Sequence, residues 1–82
     1  MTQSIRSPRQ LGTLIQNARL DRNLTQQALA DLAGTGQKTV SKIESGYPGT
    51  RLDTIFGLLA VLDLDLTLAP RRNGGPDLGE IF

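Results

Sequence analysis

The sequence contains neither cysteine nor histidine, and these absences exclude several classes of function. Without cysteine there is no disulfide framework and no cysteine nucleophile, and without either residue there is no Cys/His zinc site. The missing histidine also removes the Ser-His-Asp arrangement of hydrolases. An all-carboxylate metal site is left open, but the sequence shows no metal cluster, acid/base pair or nucleophile. We therefore predict a protein that is not an enzyme and has no metal or cofactor.

The chain also lacks length and long apolar runs. Its 82 residues correspond to one small domain. Such a domain buries a smaller fraction of its surface than a large one and often depends on a partner chain for stability. No apolar run approaches the roughly 20 residues that cross a bilayer, and residues 1–10 have no apolar segment typical of a secretory signal. We expect a cytoplasmic protein with no membrane partner.

The net charge of +1 conceals an uneven distribution of charge. Residues 1–51 carry seven basic and three acidic side chains, a balance of +4. Residues 52–82 carry two basic and five acidic side chains, a balance of −3. This asymmetry raises two hypotheses to test, contact with nucleic acid in the basic part and contact with protein in the acidic part.

Four helices are predicted from capping residues and from apolar residues at helical spacing. In the first helix, Arg19 falls outside the apolar stripe. The fourth is the most hydrophobic, with Leu52, Ile55, Phe56, Leu59 and Leu62 at helical spacing. The first helix is predicted to run from its Ser7 cap to residues 21–23, and the second from its Thr25 cap to Gly34. The third is predicted to run from Gln37 to about Ser45, and the fourth from a capping box over Thr50–Asp53 to about Leu62.

After the fourth helix, the apolar spacing changes from about 3.6 residues to 2. Leu64, Leu66 and Leu68 alternate with polar or small residues until Pro70, which predicts a β-strand over residues 64–69. The helices provide no edge for this strand, so we expect it to pair with the same segment of a second copy and form a homodimer. The alternative is an extension of the helix, which leucine favours but the intervening polar residues and the proline do not.

Residues 25–46 have the pattern of two short helices joined by a three-residue turn that contains glycine. The second helix has an outward face without acidic residues. Glutamine can bind adenine through N6 and N7, and lysine can bind guanine or a phosphate. We predict base contacts from Gln37 and Lys38, and phosphate contacts from Gln26, Thr39, Lys42 and Arg51. The plain alternative is a solvated helix face.

Two charged features allow more than one interpretation. Arg6 and Arg9 form either an N-terminal arm that contacts phosphate or part of a solvated terminus. Glu44 is expected to be a structural carboxylate that caps a helix or pairs with a basic neighbour, because the sequence places no second carboxylate beside it for catalysis.

The run TQQALADLAGTGQKTVSKIESG, residues 25–46, resembles the helix-turn-helix of the lambda-repressor/Xre family. The run LDTIFGLLAVLDLDLTL, residues 52–68, resembles the HipB-type antitoxins of that family. The resemblance covers about residues 6–69. It implies a mainly α, lambda-repressor-like bundle of four to five helices with one C-terminal β-strand that pairs across a dimer. It also implies that Gln26 contacts phosphate and that the first positions of the following helix, which are Gln37, Lys38 and Ser41 here, read bases.

From this resemblance we expect a homodimeric repressor that binds its operator DNA and is the antitoxin of a HipA-like serine/threonine kinase toxin. Two alternatives stay open: a stand-alone Xre-type regulator without a toxin, and an interaction module that neutralises its target by contact. We expect residues 1–69 to form the DNA-binding domain with its dimerisation strand, and residues 70–82 to form a flexible tail. The final Ile81 and Phe82 either have no role or insert into a toxin pocket.

Overall fold

The computed structural model describes residues 4–71, which fold into four helices: α1 (Pro8–Asp21), α2 (Gln26–Ala33), α3 (Gln37–Glu44) and α4 (Leu52–Val61). This confirms the predicted mainly helical bundle, with α2 and α3 as the helix-turn-helix pair. None of the helices in this range combines the length and the apolar character that a membrane crossing requires.

The start of α1 has the Ser7 cap that the sequence predicts. Ser7 Oγ accepts a hydrogen bond from the N–H of Gln10 at 3.1 Å, and Pro8 occupies the first helical position. The Gln10 side chain accepts from the N–H of Arg6 rather than from that of Ser7, so it caps one residue earlier than a standard capping box. The chain leaves α1 through Asn23, whose φ of 58° is in the left-handed region.

The turn between α2 and α3 depends on Gly34. Its φ of 72° lies in the left-handed region, where a residue without Cβ is unstrained. At the other end of α2, Thr25 Oγ1 accepts from the N–H of Ala28 at 2.9 Å, as predicted for a cap. These two ends fix a short α2 and a sharp turn into α3.

The capping box predicted over Thr50–Asp53 is wrong. Arg51 is the N-cap of α4, and its side chain makes no capping hydrogen bond. Thr50 Oγ1 instead donates to the carbonyl of Tyr47 at 3.2 Å, and the Asp53 carboxylate accepts from the Arg51 guanidinium. Both capping groups are occupied by other partners, so the helix begins without them.

All four helices contribute to one core. Its buried apolar side chains are Ile15, Leu29, Ala30, Val40, Ile43, Ile55, Leu58, Leu59 and Leu62. Not every apolar residue at helical spacing joins it: Leu52 and Phe56 of α4 are 64% and 47% exposed. The apolar stripe of α4 is therefore wider than the surface that the other helices cover.

Gly12 sets how closely α1 approaches the end of α3. A Cβ placed on it would lie 2.3 Å from the carbonyl oxygen of Ile43 and 2.8 Å from that of Glu44. Only glycine allows two backbones to come so near each other. The contact brings the C-terminal end of α3 against α1, where Arg19 lies about two turns farther along.

The segment after α4 has no regular secondary structure in the single chain from residue 64 to residue 71. Leu64 is half-buried against the core, whereas Leu66 and Leu68 are 47% and 91% exposed. A strand needs the backbone of a partner strand, and none is present within residues 4–71. The strand over 64–69 and its pairing across a dimer therefore stay predictions. The predicted tail, with Ile81 and Phe82, lies outside the described residues except for its first two.

Candidate nucleic-acid interface

Helix α3 turns its polar side outward. Val40 and Ile43 are buried, which directs the opposite face of the helix to solvent. Lys38 and Lys42 are exposed on α3, and Gln37, Thr39 and Ser41 are half-buried. The three residues predicted to contact bases thus lie along one helix start, with the Lys42 ammonium one turn beyond Lys38.

The two glutamines predicted for base and phosphate contact touch each other. Gln37 Nε2 donates to Gln26 Oε1 at 2.6 Å, which joins the start of α3 to the start of α2. Both side chains are half-buried. The side chain predicted to contact a base and the side chain predicted to contact phosphate therefore form one polar unit.

A buried ion pair lies directly behind this unit. Arg19 Nε and Nη2 donate to the two carboxylate oxygens of Glu44 at 2.7 and 3.0 Å, and the side chains are only 9% and 3% exposed. A third donor, Arg19 Nη1, binds the carbonyl of Leu24 at 2.8 Å. This geometry confirms Glu44 as a structural carboxylate and removes Arg19 from the basic groups available to a ligand.

The inward position of Arg19 is the main feature that the sequence interpretation missed. The residue was expected outside the apolar stripe of α1 because it is charged. It is four residues after the buried Ile15, a spacing that places both side chains on the same helix face. That spacing is the signal that could have placed Arg19 on the buried face of α1, whereas its partner depends on how α1 packs against α3.

Glu44 also connects the ion pair to the glutamines. Gln26 Nε2 donates to Glu44 Oε1 at 3.0 Å. The side chains of Arg19, Glu44, Gln26 and Gln37 therefore form a continuous chain of hydrogen bonds, which we call the relay. Among residues 4–71, no buried side-chain nitrogen or oxygen is left without a partner.

Two of the three remaining predicted phosphate contacts, Arg51 and Lys42, already have neighbours. Arg51 is exposed and donates through Nε and Nη2 to the Asp53 carboxylate at 3.1 and 2.8 Å. This hydrogen bonding lowers the pKa of the Asp53 carboxyl below its ordinary value and raises the pKa of Arg51. Lys42 Nζ lies 5.3 Å from the centroid of the Tyr47 ring, a cation–π distance that steadies the side chain.

Groups that could hold a metal are missing from the part of the chain that the structure describes: nowhere do three His, Cys, Asp or Glu side chains come together.

The N-terminal arginines are both exposed, but they differ in setting. Arg6 belongs to the cap of α1 through its backbone N–H, whereas Arg9 lies within the helix beside Gly46. The contact of these arginines with phosphate stays a prediction.

Comparison with known proteins gives consistent results. A helix-turn-helix family model matches residues 15–68. The Antitoxin HipB of Escherichia coli (strain K12) is 36% identical over 78 residues, which are 95% of this chain and 89% of that protein. A chain of the solved "HipB-O4 20mer complex" has 35% identity and a TM-score of 0.80, over 87% of this chain and 100% of that chain. A chain of the "HipA-HipB-O2-O3 complex" has 35% identity and a TM-score of 0.81 over the same shares.

Proposed function

Because this chain belongs to the helix-turn-helix family that includes the HipB antitoxins, we propose that it is a DNA-binding repressor that autoregulates its operon and is the antitoxin of a HipA-like serine/threonine kinase. The relatives support both halves of the proposal, since solved complexes of HipB include one with an O4 20mer and one with HipA. The protein acts by binding alone, in the cytoplasm, without a cofactor.

The outward face of α3 is the observation that carries DNA binding. It presents Gln37, Lys38 and Ser41 where a major groove would receive them, and it has no exposed acidic side chain. Gln37 binds adenine, and Lys38 binds guanine or a phosphate. Contacts to phosphate come from Gln26, Thr39, Lys42 and Arg51, and they position the helix without reading sequence.

Dimerisation completes the proposed repressor. Leu64, Leu66 and Leu68 form the strand that pairs with a second copy, and the high exposure of the last two supports this role. Two recognition helices related by a two-fold axis would enter major grooves about 34 Å apart on a palindromic site. Deletion of residues 64–69 is expected to leave a monomer in analytical ultracentrifugation, and a persisting dimer would contradict the shared strand.

The decisive test of DNA binding uses one variant with a matched control. Gln37→Ala should weaken binding to the operator by about 1–3 kcal/mol and relax preference at one base pair. Gln27→Ala removes an exposed glutamine of α2 that bonds only to Asp31, and it should leave operator affinity unchanged. Equal affinity of the Gln37→Ala variant and the unsubstituted protein in a gel-shift series would reject α3 as the reading helix.

The antitoxin half is tested by copurification. The chain is coexpressed with any kinase-like protein encoded beside it, and a tagged copy of the chain is recovered. We expect a stable complex and loss of kinase activity in it. A neighbouring kinase that stays active and unbound, or the absence of such a neighbour, would leave a repressor without this toxin.

A further inference from the structure

We propose that Asp53 is a competing anion that weakens the binding of Arg51 to a DNA phosphate. This inference rests on the proposed phosphate contact of Arg51 and deepens it, because it names the group that limits that contact. The observation behind it is the exposed ion pair at the start of α4, in which a carboxylate of the same chain already binds the Arg51 guanidinium.

The Asp53 carboxylate occupies the guanidinium in the way that a phosphate would. Arg51 Nε donates to Asp53 Oδ1 at 3.1 Å, and Nη2 donates to Oδ2 at 2.8 Å, so the contact is bidentate. Arginine binds phosphate with the same kind of parallel donor pair. A phosphate must therefore displace the carboxylate from this edge, or bind another edge and share one positive charge with a second anion. In both cases Arg51 contributes less to DNA affinity than an unpaired arginine would.

Asp53 differs from the other acidic side chains near the predicted interface. Within the described part of the chain, it is the one exposed carboxylate that is hydrogen-bonded to a predicted DNA contact. Glu44 is bonded to Gln26, but it is buried and paired with Arg19. A DNA backbone that approaches Arg51 therefore meets the negative charge of Asp53 and not that of Glu44.

The salt dependence of binding distinguishes a paired arginine from an unpaired one. An unpaired cation that binds a DNA phosphate releases counterions, and each such contact steepens the slope of log affinity against log salt by about 0.9. When Arg51 leaves Asp53 for a phosphate, the carboxylate is left unpaired beside the DNA and takes up a cation from solution. This uptake offsets the release, so the Arg51–Asp53 pair should contribute much less than one unit to the slope.

The test combines two substitutions with a matched control. Asp53→Asn removes the competing charge and keeps the shape of the side chain, and Arg51→Gln removes the guanidinium. Asp63→Asn is the control, because it removes one exposed negative charge beyond the opposite end of α4, about 15 Å along the helix axis. Asparagine accepts the left-handed φ of 58° at that position. Binding to a labelled operator duplex and to an unrelated duplex of equal length is measured by fluorescence anisotropy in a salt titration, and circular dichroism confirms that each variant is folded.

We expect Asp53→Asn to raise affinity for both duplexes about twofold to fivefold per protomer at low salt, the range of an exposed ion pair. The slope should steepen by up to about one unit. Preference for the operator should not change, because a phosphate contact carries no sequence information. In an Arg51→Gln background, Asp53→Asn should change neither the affinity nor the slope. Asp63→Asn should change both much less than Asp53→Asn does.

Three results would overturn the proposal. If Asp53→Asn changes neither affinity nor slope, the carboxylate does not compete with phosphate. If its gain persists in the Arg51→Gln background, or if Asp63→Asn gives an equal gain, the charge acts on DNA directly and not through Arg51. If Arg51→Gln has no effect even in the Asp53→Asn background, Arg51 does not contact DNA, whereas reading by α3 is judged separately from the Gln37→Ala series.

Discussion

The buried pair of Arg19 and Glu44 allows a stability prediction with a clear sign. Replacing Glu44 with leucine leaves the guanidinium without its carboxylate in a site that solvent does not reach. Replacing Arg19 with methionine leaves the carboxylate with the Gln26 amide as its remaining side-chain partner. The double replacement removes both charges and fills the space with apolar side chains of similar volume.

The loss of stability expected from each replacement follows from the burial of the pair. The two side chains are 9% and 3% exposed, so neither charge can be rehydrated when its partner is removed. Each single replacement is expected to lower the free energy of unfolding by about 3–5 kcal/mol, and the double replacement by much less. A chain of 82 residues has a total stability of about 4–12 kcal/mol, so each single replacement should remove about a quarter of it or more.

The measurement is urea denaturation followed by circular dichroism at one fixed protein concentration. The Arg51–Asp53 pair is the internal control, because its side chains are 81% and 66% exposed and water replaces the lost partner. Asp53→Asn should leave the urea midpoint nearly unchanged. The reasoning is refuted if a single replacement in the buried pair costs less than about 1 kcal/mol, as at a surface pair, or if the double variant is as unstable as the two singles combined.

Two further outcomes follow from the same structure. Gly12→Ala should lower the free energy of unfolding by about 1–3 kcal/mol, because the new methyl group meets the carbonyl oxygen of Ile43. Gly36→Ala is the control, because no atom lies within 4 Å of its new Cβ. Equal melting temperatures of the two variants in thermal melts would contradict the close approach of α1 and α3. Lys42→Ala should weaken binding to all DNA sequences and reduce the slope of log affinity against log salt by about one unit, and an unchanged slope in a salt titration would exclude a phosphate contact.

The sequence predicted the elements whose signals are local. Ser7, Thr25 and Gly34 each form the cap or turn expected of them, because a cap depends on atoms within a few residues. Thr50 does not form the predicted cap, and the cause is also local, because its hydroxyl donates to the carbonyl of Tyr47 in the preceding turn. Local competition of this sort is not visible in a motif.

The relay was beyond sequence reasoning because it depends on tertiary contacts. Arg19 and Glu44 are 25 residues apart, and nothing between them indicates that α1 and α3 meet there. Gln26 and Gln37 were each predicted as DNA contacts, but their contact with each other needed the angle between α2 and α3. Gly12, which allows the close crossing, carries no signal of its own in a single sequence.

The exposed apolar side chains of α4 and of the segment after it determine how the folding of this protein depends on its concentration. Leu52, Phe56, Leu66 and Leu68 leave apolar surface in water in the single chain, between 47% and 91% exposed. If a second copy covers this surface, association adds to the free energy of folding, and the melting temperature rises with protein concentration. Dilution then lowers the fraction of the protein that is folded. A cell that makes less of this protein would hold a smaller folded fraction of it, so the concentration of the protein and its apparent stability would fall together.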